Sequence, residues 1–109
     1  MPRITTHAIP LETVQRASGP LMDDLVALFG IPREHFVLEV RTDTFVQDGT
    51  IVPGDPFVEV ALFDRGVEAE AQAVRLITRH FQQAGCLHLD VYLVRLERHR
   101  YYEDGDPFS

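Results

Sequence analysis

The chain carries one pattern of apolar and polar residues twice, and few folds accept such a duplication. From Pro2 to Ile9 the residues alternate, with Ile4, Thr6 and Ala8 on one side and Arg3, Thr5 and His7 on the other, the period of a strand. Pro56, Val58, Val60 and Leu62 repeat the phase of Pro2, Ile4, Thr6 and Ala8 at an offset of 54 positions. Each alternating stretch leads into a helical period. In the first half this runs from Pro10 to Phe29, with Leu11, Val14, Leu21, Leu25 and Leu28 on one stripe and Gly30 and Pro32 as the stop. Gly19-Pro20 interrupts the stripe without shifting its phase, which predicts one kinked helix. In the second half the period runs from Val67 to Ala84, with Ala73, Val74, Ile77, Phe81 and Ala84 inward and Gly85 as the cap.

A second strand follows each helix, His35–Val46 in the first half and Leu87–Glu97 in the second. Strand, helix, strand, written twice, makes two βαβ units with right-handed crossovers. The expected fold is α+β: a four-stranded sheet with both helices on one face, formed by one domain over residues 1–109. Its pseudo-repeats are 2–46 and 56–97, and residues 98–109 form a C-terminal arm. Turn residues crowd "QDGTIVPGDP" between the halves, and Asp104-Gly105 predicts a small hairpin in the arm. The ferredoxin-like sandwich has the same element order. However, Val37 and Phe45, with Tyr92, Val94 and Leu96, put apolar side chains on the face away from the helices. Such a face calls for a cover that neighbouring subunits could supply.

What the chain lacks narrows its chemistry. A chain of 109 residues has room for one ordinary core. Its net charge of −7 opposes binding to a phosphate backbone, and no basic stripe with interleaved aromatics is present. Nucleic acid is therefore not expected as a partner. All ten cations are arginine, so no lysine can form a Schiff base. Serine occurs only at Ser18 and Ser109, neither in a nucleophile elbow. The single cysteine, Cys86, excludes an internal disulfide and suits a reducing compartment. No long apolar run and no signal-like opening is seen, so a cytoplasmic location without membrane association is expected. The five histidines show no ligand spacing. Cys86 and His88, read as neighbours on one strand face, do not suffice for a metal, so no metal and no cofactor are expected.

Pro2 directly after Met1 raises a further possibility. Loss of Met1 would leave a secondary amine at the start of a strand, where proline is tolerated in any case. Together with "FGIPREHFVLEV" at the junction from helix to second strand and "DVYLV" in the last strand, this opening gives the chain a resemblance to the tautomerase superfamily. The best-known members of that superfamily are 4-oxalocrotonate tautomerase and macrophage migration inhibitory factor. The resemblance spans the whole length and is closest to a bacterial branch ending in a "YYEDG"-like segment.

The resemblance implies a homotrimer with active sites at subunit boundaries. It implies that Pro2 acts as general acid or base on a small enol, keto or unsaturated carboxylic acid. Apolar burial and a nearby arginine would both disfavour the proline cation and favour the free base. Arg65 in "FDRGVE" lies after a strand and opens a helix, the place of a substrate-binding arginine in several members. Tyr92 matches the last-strand tyrosine that lines the pocket, and Glu39 is placed to polarise water, although an ion pair with Arg41 accounts for it equally well. Of the tail arginines, Arg98 could lie over a neighbouring subunit's site. Two positions that are polar in the cytokine-like branch are apolar here, Ile31 and Val94. The alternative function is a non-catalytic binding or assembly module, ferredoxin-like or of the tautomerase fold.

Overall fold

A computed structural model describes residues 2–108. The first strand, β1 (Arg3–His7), is followed by α1 (Leu11–Phe29), a short 3-10 turn at Arg33–His35, and β2 (Val37–Arg41). A hairpin of β3 (Phe45–Gln47) and β4 (Thr50–Val52) separates this half from β5 (Phe57–Phe63), α2 (Val67–Gln83) and β6 (Asp90–Leu96). The arm holds a second 3-10 turn at Arg98–Arg100, then β7 (Tyr102–Glu103) and β8 (Asp106–Pro107).

The main sheet has the order β2-β1-β5-β6. Within each half the two strands are parallel neighbours, Arg3 opposite Val37 and Phe57 opposite Asp90, and the halves meet antiparallel with Arg3 opposite Ala61. This adjacency rules out the ferredoxin-like alternative, whose βαβ units are split by an intervening strand. The sheet's inward face, Ile4, Thr6, Val58, Val60 and Leu62, is fully buried against Val14, Leu21 and Leu25 of α1 and Ala73, Ile77 and Phe81 of α2. The alternation predicted for both strands and the stripes of both helices therefore meet in one core. Leu11 and Ala8 are exceptions: Leu11 sits in the first turn and is 52% exposed, and Ala8 lies past the end of β1 with φ 60° and is half-buried.

One expectation holds and two segments depart from the sequence reading. First, α1 runs through Gly19-Pro20 as one helix, as its unbroken apolar phase predicts. Proline removes one backbone donor, yet burial of Ala17, Leu21 and Met22 on either side holds the segment helical. Second, the predicted strand His35–Val46 ends at Arg41. Asp48 and Gly49 take φ of 51° and 79°, the signature of a two-residue hairpin turn. The run after Asp43 consequently folds back on itself and does not extend the sheet. Third, the last strand begins at Asp90, so Cys86 and His88 lie in an irregular connection and share no strand face. The hairpin expected in the arm is present, with Asp104 and Gly105 at φ of 53° and 89°. No helix among the described residues is long and apolar enough to cross a membrane.

Candidate functional site

Chain direction places the candidate residues. Because β1 runs against β5, and β5 and β6 run together, the start of β1 lies at the same end of the sheet as the ends of β5 and β6. Pro2, Arg65 and Arg98 therefore gather at one end. Pro2 is buried. Its carbonyl accepts the backbone N–H of Val37 at 3.2 Å. Extending the register by one residue sets it between Phe36 and Leu62, both buried. Met1 lies outside the described residues.

Aromatic rings wall this end. Phe36 lies 6.3 Å from Phe29, the last residue of α1, and the Arg65 guanidinium sits 5.7 Å above the Phe29 ring. Arg65 thus reaches from the β5–α2 turn to the C-terminal end of α1, on the helix side of the sheet. The turn is set by Asp64, whose Oδ1 accepts the Gly66 N–H at 2.9 Å, and by Gly66 itself at φ 88°. On the other side, Phe63 ends β5 under the arm. Tyr101 and Phe108 each pack 5.3 Å from it, and Arg98 lies 4.7 Å over its ring. Arg95 is engaged elsewhere. It pairs with Glu70 at 3.2 Å and with Asp64 at 3.7 Å, and the hydrogen bonds to Glu70 raise its already high pKa.

Glu39 and Tyr92 lie apart from Pro2 within one chain. Both belong to the face away from the helices, in line with Thr5 and Glu59. Glu39 is paired with Arg41 at 3.3 Å. Partial burial, and then the Glu59 carboxylate, push the Tyr92 phenol above its ordinary value. The same face holds a group that sequence reasoning missed. His7 is nearly buried between Asp43 on Nδ1 and Glu59 on Nε2, the latter at 2.9 Å, and its ring stacks on Phe57 at 4.2 Å. Alternation placed His7 on this face, but only the β1–β5 register and the turn after β2 bring the carboxylates to it. Burial raises the Cys86 pKa, which keeps the thiol protonated and argues against a nucleophile. Among the described residues no three potential ligands converge on a metal position.

Comparison with known proteins agrees with this architecture. The chain belongs to the DUF1904 family, a domain of unknown function whose family model matches residues 1–107. A DUF1904 structure from Sebaldella termitidis shares 30% identity with a TM-score of 0.86, covering 99% of this chain and all of that one. A protein of unknown function from Vibrio cholerae shares 28%, with a TM-score of 0.85 over 98% of this chain and 87% of its own. A fused 4-OT solved as a symmetric trimer matches at 14% identity and a TM-score of 0.72, over 97% and 95% of the two chains. The fold is that of the tautomerase superfamily, shared with proteins like macrophage migration inhibitory factor. Among curated proteins the comparison finds no match.

Proposed function

We propose that this protein is a cofactor-free tautomerase or isomerase acting on a small enol, keto or unsaturated carboxylic acid. The observation that carries the reading is the placement of Pro2, buried at the end of the sheet where Arg65 is seated on a ring and, among the described residues, forms no ion pair with a carboxylate. With Met1 removed, the proline nitrogen is a secondary amine in apolar surroundings, and such surroundings favour its neutral form. It takes a proton from the carbon next to a carbonyl, and the same proton returns at the other end of the enolate. Arg65 holds the substrate carboxylate and stabilises the charge that builds on oxygen. Tyr92, Glu39 and Arg98 complete the site in a homotrimer, in which a neighbour's outer face lies against the Pro2 end.

Substituting Pro2→Ala tests this reading. The variant is expected to lose at least a hundredfold in enol–keto conversion of a phenylpyruvate-type acid, about the worth of a general base. Unchanged turnover removes the proposal. Intact mass spectrometry of the same sample must show Met1 absent, because a retained methionine makes the nitrogen an amide. A second reading, a binding module without chemistry, is favoured by the Glu39–Arg41 ion pair, which occupies the carboxylate a water-activating site would use. That reading predicts ligand binding without turnover in wild type.

A further inference from the structure

His7 stands on the outer face of the sheet with both ring nitrogens taken. It is 8% exposed and belongs to β1, one of the two central strands. Nδ1 meets Asp43 Oδ2 in the turn after β2, Nε2 lies 2.9 Å from Glu59 Oε1 on β5, and the ring stacks on Phe57 at 4.2 Å with 4° between the planes. Arg41, opposite His7 on β2, pairs with Glu39 at 3.3 Å and so leaves both carboxylates to the histidine. A ring gripped in this way has no nitrogen left for a ligand, and whatever it contributes passes through its partners. Asp43 and Phe57 flank the β3–β4 hairpin and hold the ring still. Glu59 leads elsewhere.

Glu59 is the register partner of Tyr92 on β6. His7 engages its Oε1, and the same carboxylate accepts from the Tyr92 hydroxyl, which adds to partial burial, the larger cause, in keeping the phenol above its ordinary value. Tyr92 needs such a hold. It lies on an edge strand, is 46% exposed, and has Phe57, 6.2 Å away, as its ring neighbour. A half-exposed phenol without an anchor samples several rotamers. Glu59, whose side chain is 35% exposed, would likewise turn to water if nothing fixed it. We propose that His7 is a positioning residue for Tyr92. It fixes the Glu59 carboxylate, which in turn fixes the phenol where a bound ligand meets it, and Asp43 steadies the ring from the far side. This rests on the reading that Tyr92 completes the Pro2 site of a neighbouring subunit.

Nuclear magnetic resonance of ring-labelled tyrosine in the full chain follows the phenol directly. Only Tyr92, Tyr101 and Tyr102 carry one, and Tyr92→Phe identifies the Tyr92 signal. Glu59→Gln should bring the Tyr92 titration part of the way back toward the ordinary phenol value, since burial remains. His7→Gln should move it in the same direction, because the released carboxylate turns away. Asp43→Asn, at an exposed turn, should move it by less, and it stands in for His7→Gln should that variant not fold. A Tyr92 signal unmoved in Glu59→Gln overturns the proposal, and so does one that moves there but not in His7→Gln or its stand-in. In turnover of a phenylpyruvate-type acid His7→Gln should cost about tenfold, the worth of one hydrogen bond. In the Tyr92→Phe background it should cost nothing further, the coupling expected of residues that act through one another. An equal loss in both backgrounds makes the role of His7 merely structural and overturns the proposal as well. The titration needs no turnover, so an inactive wild type ends the catalytic reading alone.

Discussion

Asp24 and His80 tie the two helices together at the level of single residues. The Asp24 carboxylate accepts from His80 Nε2 at 2.6 Å and from Arg79 at 3.2 Å, across the gap between α1 and α2. The His80 hydrogen bond holds the Asp24 carboxyl below its ordinary 3.8, against the opposing effect of desolvation. A carboxyl whose folded pKa is depressed contributes stability that is complete above its unfolded value and fades as pH falls through the folded one. Asp24→Asn should therefore lower Tm at neutral pH. The gap to wild type should close as pH drops below the ordinary carboxylate range. Thermal melts of both proteins between neutrality and strong acid measure it, and a gap of constant size across that range contradicts the assignment. The tie was not legible in the sequence, because an acid on one helix and a histidine 56 positions later carry no signal until the helices pack.

Helices and paired strands were easier to read than their ends. The stripes of α1 and α2 and the alternation of β1 and β5 follow from burial of one face, which sequence displays directly. Where the second strands end was not legible, since a β-branched run such as "RTDTFV" suits a continuing strand or a hairpin arm equally. Asp48-Gly49 decided it, together with the capture of Asp43 by His7. The Pro2 end followed from element order once β1 and β5 were antiparallel, whereas the ring seats of Arg65 and Arg98 depend on side-chain placement that periodicity does not carry. Gly19 offers a test at this scale. It sits inside α1 with nothing within 4 Å of where a Cβ would stand, and the helix passes through unbroken. Gly19→Ala should therefore stabilise the protein by about 0.5–1 kcal/mol, mainly by reducing the freedom of the unfolded chain. Urea titration measures this, and a lower midpoint would mean that the turn before Pro20 needs glycine.

Both helices cover one face of the sheet, which leaves the other face to be closed by something else. Part of it is closed within the chain, where His7, Phe57 and Tyr92 form a ladder across three strands, with rings 4.2 and 6.2 Å apart. The rest is open, with Tyr92 and Val94 of β6 46% and 41% exposed; on the separate hairpin sheet Val46 and Ile51 pair at 64% and 75% exposure. Edge strands β2 and β6 also leave backbone groups unpaired along their outer sides. Four large apolar side chains on one molecule of this size favour association, at roughly 25 cal/mol per Å² removed from water. The fused 4-OT of the same fold is a trimer. If the chain forms the homotrimer proposed above, it should run in solution at three times the 12.4 kDa of one chain. Val94→Arg places a charge on the open face at the β6 edge and should return it to monomers, with helix content by circular dichroism unchanged. If the Pro2 site is completed across a subunit boundary, turnover should fall with the mass. Sedimentation of wild type and variant decides the question: a monomeric wild type at micromolar concentration would leave the outer face without its partner and Tyr92 without a route to Pro2.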